Sequence, residues 1–450
     1  MSESLRPDPA SDRAPLSWRE PIEVLAELRD EPGTLLLQGG STQADGRFSY
    51  VCAFPDFMLV EQDPETAFAA LQAHQHLVQK PGGSSRFEGG FAGLLSYELG
   101  GAFERMAQLP PGLASWPALA LGWYPAVIVF DHRARHISVF GEPEAARRLA
   151  ELLAALPASH SSVELDAGPG YLDPVWDEAR YCQAARQAVD YVRAGDVFQV
   201  NLSHPFRGRL PGRDGPFRLM KRLVDLSPAS HAAFFRLDSE RCVVTNSPER
   251  FLKVDASGRV ESRPIKGTAP RQSDSEQDAR AAQRLQRSSK DRAENLMIVD
   301  LMRNDLSRVC TTGSVGVPDL FKLESFANVH HLVSTVTGQL REGQSLFDLI
   351  AAAFPPGSIT GAPKVRAMEI IAELEGQARG PYCGALGWIG ANGAADLNVM
   401  IRTAACVREG EGWQVEVRSG GAITIDSDPV AELEETHAKA GALKRAICNG

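Results

Sequence analysis

Four strand-like runs follow one another between residues 196 and 265: DVFQVNLS (196–203), HAAFFRL (231–237), RCVVTN (241–246) and RVESRPI (259–265). They are joined by short turns or single helices, without the regular strand–helix–strand beat of a doubly wound parallel sheet. That irregular order predicts an α+β chain of antiparallel sheets with helices packed outside. No internal repeat of fixed period and no low-complexity tract disturbs the reading.

With 450 residues, 43% hydrophobic and 23% charged, the chain is globular and carries core for about two to four domains. A net charge of −10 argues against a dedicated nucleic-acid binder, whose phosphate affinity comes from clustered Lys and Arg. The segment 271–292 mixes Arg280, Arg284, Arg287, Lys290 and Arg292 with Asp274, Glu276, Asp278 and Asp291, which reads as a solvated helix face. Nothing approaching ~18 consecutive apolar residues occurs, and MSESLRPDPASDRAPLS has neither the basic start nor the apolar stretch of a signal peptide. A soluble, cytoplasmic protein without membrane contact is therefore expected. The seven dispersed cysteines form no C-x-x-C pair and are expected to be reduced and mostly buried.

Residues 1–17 are polar and Pro-rich, and a disordered lead is expected there. PIEVLAELRD (21–30) reads as a helix, TLLLQ (34–38) as a strand, ETAFAALQAHQHLV (65–78) as a helix, and FAGLLSY (91–97) and PAVIVF (125–130) as buried strands. Pro, Ser, Gly and mixed charge mark a linker at 156–174, dividing a region 18–155 from a region 175–447.

Several constellations in the second region could carry chemistry. In ESRPIKGTAPR (261–271), Lys266 sits where a strand ends and a Gly267–Thr268 turn begins, with Pro264 stiffening the chain before it. In SKDRAENLMIVDLMRNDL (289–306), Glu294 shares a helix face with Ile298, Leu301 and Asp305; it is either a helix-start charge or a ligand in a cleft. In DPVAELEETHAKAGALKRAI (428–447), Val430, Leu433, Ala440 and Ile447 form an apolar stripe. Glu435 lies off that stripe, either exposed and paired with Lys439 or one of two carboxylates for a hard Mg²⁺ ion. FPPGSITGAPKVRAMEII (354–371) runs from a small-residue turn with Gly361 and Ala362 into a helix with Pro363 in its first turn, a capped start or an anion site. RSGGAITID (418–426), with Gly420 and Gly421, reads as a second such turn, a bulge or a hairpin. Arg402 in the strand-like DLNVMIRTA suits a bidentate grip on a carboxylate or a structural ion pair. His330 and His331 face opposite sides by strand alternation, one buried and one reaching a cleft, and Glu249 in SPERF follows a Ser-Pro turn. No G-x-S-x-G elbow, Walker loop, G-x-G-x-x-G after a strand or H-E-x-x-H offers another chemistry.

In order, SPERF, RPIKGTAPR, DRAENLMIVDLMRNDL, VHHLVS, FPPGSITGAPKVRAMEII, NVMIRT, SGGAI and EETHAKA resemble the chorismate-utilising enzymes over about residues 175–447. The nearest likeness is to the aminodeoxychorismate synthase component I group, with a weaker one over the first 155 residues that extends to anthranilate synthase component I. The resemblance implies two facing, mostly antiparallel sheets with helices outside and a Mg²⁺ site between them. Anthranilate synthases carry alanine in the slot of Lys266. Isochorismate and salicylate synthases carry a water-activating lysine where this chain has Gln199. The resemblance thus implies amination of chorismate to 4-amino-4-deoxychorismate through a Lys266 adduct at C2. Glu294 and Glu435 would hold Mg²⁺, Glu249 would act as general acid and base, and His331 would assist near the leaving oxygen. Arg402, with Gly361, Ala362, Gly420 and Gly421, would hold carboxylates, and Gly267, Thr268, Tyr382 and Lys439 would also line the substrate. Nothing in the chain resembles a glutaminase, so a glutamine amidotransferase partner is expected to supply ammonia. LLLQGGS and SPASH depart from the tryptophan-site patterns of feedback-inhibited anthranilate synthases.

Overall fold

A computed structural model of the chain describes residues 17–39, 46–79, 84–156, 168–326 and 329–449. The lead expected over 1–17, apart from Ser17, and most of the linker expected over 156–174 lie outside the described residues; Tyr171–Pro174 at the linker's end is a strand.

The described strands make two antiparallel sheets. The first has 11 strands and runs Gly361–Ala362, Gln199–Leu210, Gly412–Ile423, Thr403–Glu409, Arg241–Ser247, His231–Arg236, Leu35–Gln38, Phe48–Cys52, Ala126–Asp131 and His136–Gly141, with Tyr171–Pro174 also paired to Gln199–Leu210. The second has 10 and runs Ile265–Pro270, Val329–Gln339, Arg259–Arg263, Arg250–Val254, Ala395–Val399, Ala385–Gly390, Gly90–Leu95, Leu119–Tyr124 and Phe57–Glu61, with Gly316–Ser325 also on Val329–Gln339. Strands from residues 18–155 extend the same sheets as strands from 175–447. Leu35–Gln38 pairs with His231–Arg236, and Gly90–Leu95 with Ala385–Gly390.

Period-two alternation gives each strand one face toward the other sheet and one toward helices. Val243 points between the sheets, whereas its neighbours Cys242 and Val244 point outward. Between the sheets, Leu35, Tyr50, Phe235 and Val243 of the first meet Leu94, Ala120 and Trp388 of the second, with the rings of Tyr50 and Trp388 6.1 Å apart. Pro21–Leu28, Pro143–Ala155, Gly215–Leu226 and Pro429–Cys448 cover the outer face of the first sheet, and Pro64–Ala73, Ser289–Ser307 and Leu346–Ala353 that of the second. The architecture is the expected one of facing antiparallel sheets with helices outside.

Local departures have simple causes. RVESRPI breaks at Pro264, which lacks an N–H for the ladder, into Arg259–Arg263 and Ile265–Pro270. The helix expected over 65–78 spans Pro64–Ala73 and gives way to a 3₁₀ turn at Gln75–Leu77. In the last helix, Leu433, Ala440 and Ile447 are buried, but Val430, in its first turn, is exposed. All seven cysteines are free and six of them are buried. Among the described residues no helix is long and apolar enough to cross a membrane.

Candidate active site

Two sheet-to-sheet crossings create the site. The chain leaves the first sheet after Arg241–Ser247 to enter the second at Arg250–Val254, and it returns between Ala395–Val399 and Thr403–Glu409. The crossings lie against each other. Asn246 N–H donates to the Arg402 carbonyl at 2.9 Å, Val399 N–H to that of Glu249 at 3.0 Å, and Ser247 Oγ to that of Val399 at 2.6 Å. Glu249 and Arg402 are thereby set side by side. Arg402 is not strand-borne as its sequence context suggested: it sits in the crossing with φ +52°, a left-handed conformation rare outside glycine. Nor is Glu249 a surface turn residue; it is 4% exposed. Burial pushes its carboxyl up to about 7, against the opposing pull of Ser358, Lys266, the Ile265 backbone and Arg402.

Lys266 lies in Ile265–Pro270, and the Gly267–Thr268 turn expected after it is a bulge in that strand. The register against Val329–Gln339 shifts between Ile265 and Thr268. Gly267 takes φ +82°, and a Cβ there would come within 2.9 Å of Asp291 Cγ and Leu285 Cδ1, so the bulge requires glycine. Lys266 Nζ donates to the Ser358 carbonyl at 3.1 Å. Burial lowers its pKa; Glu294 opposes that shift and Lys439 adds to it. Ser358, one of the small residues of the FPPGSITGAP stretch, touches both Lys266 and Glu249 from the 3₁₀ turn Gly357–Ile359.

The two histidines separate as strand alternation requires, but both are buried. His330 is spent on structure, with Nε2 3.0 Å from Asp278 Oδ1 and Nδ1 2.7 Å from Ser325 Oγ. His331 Nδ1 lies 2.9 Å from Thr268 Oγ1, while its buried Nε2 has no partner. Burial, with the Arg402 charge, lowers the imidazole to about 4, so it is neutral at pH 7. Thr268, expected against substrate, is thus engaged with His331.

The carboxylates come from two helices whose starts are fixed by caps. Ser288 accepts from Asp291 N–H at the head of Ser289–Ser307, and Asp428 from Val430 and Ala431 N–H at the head of Pro429–Cys448. Glu294 is 8% exposed, its Oε1 is buried without a hydrogen-bond partner, and Lys290 Nζ stands 4.0 Å away. Burial pushes its carboxyl up, with Lys266 and Lys290 opposing. Glu435 pairs with Lys439 at 2.6 Å; although burial works against the charge, Lys439 holds its carboxyl below the usual range. Lys439 also donates to the Gly420 carbonyl at 3.0 Å. Glu432, one turn before Glu435 and 3.5 Å from Lys290, joins the cluster. Its i,i+3 spacing from Glu435 was the available sequence signal. Among the described residues no three His, Cys, Asp or Glu side chains converge as a metal site. The orphaned Glu294 oxygen and Glu435, both coupled to the charges of Lys266 and Lys290, instead fit the one or two carboxylates that Mg²⁺ takes, the rest of its shell being water and substrate oxygen.

Beyond the 3₁₀ turn Gly357–Ile359, the glycines of the small-residue segments lie in strands. Gly361–Ala362 pairs with Val200 and Gln199, and Pro363 is the cap of Lys364–Glu375, not a residue of its first turn. Gly420 and Gly421 lie within Gly412–Ile423, opposite Ser203 and Leu202. A Cβ on Gly421 would meet Glu432 Oε2 at 3.0 Å and Glu435 Oε1 at 3.6 Å, so this glycine lets the carboxylate cluster settle on the sheet. Tyr382 is buried, its ring 5.7 Å from the Arg379 guanidinium. Gln199 is buried with both amide atoms unpartnered.

Lys266 thus feels the charges of Glu294, Glu249 and Glu435, Arg402 that of Glu249, and His331 that of Arg402, so the six form one cluster, and residues 41–445 match the chorismate binding enzyme family. The chain belongs to that family. Among the chorismate-binding enzymes it is 39% identical over 450 residues to aminodeoxychorismate synthase component 1 of Klebsiella aerogenes, covering 94% of this chain and 96% of that protein. It is 37% identical to anthranilate synthase component 1 of Streptomyces coelicolor, covering 95% and 86%. The structure of anthranilate synthase component I from Streptococcus pneumoniae TIGR4 superposes with a TM-score of 0.79 at 28% identity, over 99% of this chain and all of that one.

Proposed function

We propose that this chorismate-binding enzyme exchanges the 4-hydroxyl of chorismate for an amine, forming 4-amino-4-deoxychorismate, with ammonia supplied by a glutamine amidotransferase partner. The observation that carries the reading is Lys266: a lysine in a glycine bulge, bonded only to a carbonyl, and depressed in pKa by burial. That environment raises the fraction of free amine. The likeness to proteins named aminodeoxychorismate synthase component 1 supports the same choice.

In this reading Lys266 Nζ adds to C2, the ring double bond shifts, and the C4–O bond breaks. Glu249, poised near pH 7, gives its proton to the departing hydroxyl, which leaves as water. Ammonia then bonds to C4, the double bond returns, and the C2–N bond to Lys266 breaks; Glu249 takes the surplus proton. The net change is chorismate plus ammonia to amine plus water. Arg402 grips a substrate carboxylate, and neutral His331 presents Nε2 near the leaving oxygen. Glu294 and Glu435 would hold Mg²⁺, which when bound neutralises charge at the ring carboxylate.

Anthranilate synthase chemistry is the second reading, favoured by the similarity to proteins of that name. Incubating the chain with chorismate, MgCl₂ and ammonium chloride separates the two. Pyruvate and a fluorescent aromatic product without a second enzyme would mean anthranilate formation, whereas amination yields para-aminobenzoate only after an aminodeoxychorismate lyase is added.

A further inference from the structure

Lys266 lies in a strand and Glu249 in a crossing between sheets, yet both end on one residue of a third segment. Lys266 Nζ donates to the Ser358 carbonyl at 3.1 Å, and the Ser358 hydroxyl donates to the Glu249 carboxylate. Ser358 is buried, at 7% exposure.

The turn that carries Ser358 is anchored by its surroundings. Gly357 seats it on the helix Ser289–Ser307, where a Cβ would come within 2.6 Å of Leu301 Cδ2. Arg379 Nη1 donates to the Ile359 carbonyl at 3.0 Å, and Arg379 is itself bonded to the buried Glu375 at 2.6 Å. Asn201 N–H donates to the Thr360 carbonyl at 2.8 Å, and Thr360 Oγ1 to the carbonyls of Pro356 and Gly357 at 3.2 and 3.3 Å. A helix, a sheet and a buried arginine thus hold residues 357–360, and the helix is the one that bears Glu294.

The chemistry gives this arrangement a use. Amination through Lys266 needs the lysine as a free amine and Glu249 as an acid. A direct pair between the two would favour ammonium and carboxylate, the unreactive form of each. Lys266 instead bonds a carbonyl, and the two form no ion pair among the described residues. A carbonyl accepts from a free amine as from an ammonium, and the lone pair of the amine is left for the ring carbon. A hydroxyl both donates and accepts, so it serves Glu249 before and after the proton leaves.

We propose that Ser358 is a positioning residue of the amination, holding the Lys266 amine through its carbonyl and the Glu249 carboxyl through its hydroxyl, so that both meet the substrate without pairing with each other. The inference rests on the amination reading above.

Ser358→Ala removes the hydroxyl and keeps the carbonyl, which separates the two halves of the role. With chorismate, MgCl₂, ammonium chloride and a lyase-coupled product assay, kcat should fall about tenfold, the weight of one hydrogen bond, while the chorismate KM stays within about twofold. Ser358→Thr, which keeps the hydroxyl, should recover most of the loss. In a Glu249→Gln background the alanine change should cost about twofold or less, because the carboxyl it serves is gone. An unchanged kcat in Ser358→Ala, or a chorismate KM that rises in step with the fall in kcat, overturns the role of Ser358 and leaves the function standing. So does an undiminished loss in the Glu249→Gln background, and that comparison decides should the threonine variant fail to fold. A wild-type chain that forms no aminated product overturns both.

Discussion

Thr268 Oγ1 lies 2.9 Å from His331 Nδ1, and the two residues are direct cross-strand partners. This contact holds the imidazole through Nδ1 and leaves Nε2 buried and without a hydrogen-bond partner. Thr268→Val keeps the shape and removes the hydroxyl. We expect kcat/KM for chorismate to fall about tenfold, the upper weight of a single hydrogen bond, and Thr268→Ser to restore it. Equal loss in both variants would show that Thr268 acts by packing alone.

Glu249 makes stability depend on pH. Its folded-state pKa of about 7 lies above the ordinary 4.5, so its protonated form favours the native state. That contribution is complete below about pH 4.5 and is lost as pH rises through 7. The gap corresponds to at most about 3 kcal/mol. Glu249→Gln abolishes the titration. Urea denaturation should find the variant more stable than wild type at pH 8 and the difference shrinking toward pH 5, while turnover falls at every pH.

The Glu294 oxygen without a partner gives a metal test that needs no turnover. MgCl₂ should raise the melting temperature of the wild type and leave that of Glu294→Gln/Glu435→Gln unchanged. Equal shifts in both proteins would remove these carboxylates from the metal.

Glu375 is buried against two arginines, which cannot be left uncompensated. Glu375→Gln should cost about 3–5 kcal/mol in denaturant unfolding. A loss below about 1 kcal/mol would mean that other groups neutralise Arg379 and Arg418.

The residues of the site were legible in the sequence, but their surroundings less so. Lys266, Glu294 and His331 stand in motifs whose order points to one chemistry, and the antiparallel sheets followed from the irregular strand order. Arg402 and Glu249 misled because a run such as DLNVMIRTA carries no sign that it changes sheets midway. A crossing is decided by long-range pairing, here the bonds between residues 246–249 and 399–402. Gly361 and Gly420 likewise looked like turns because glycine serves both turns and close strand approach. A Cβ on either would come within 2.4 Å of a carbonyl oxygen across the sheet. The Arg379–Glu375–Arg418 cluster drew no attention because Arg418 reaches the neighbouring Glu375–Arg379 pair from a distant strand.

The central claim is that Lys266 attacks the substrate ring, and Lys266→Ala tests it most directly. The measurement is the rate of 4-amino-4-deoxychorismate formation from chorismate, MgCl₂ and ammonium chloride, coupled to an aminodeoxychorismate lyase. Melting temperature should confirm that the variant is folded. We predict that kcat falls by about a thousandfold or more. An alanine variant with wild-type turnover would contradict the account.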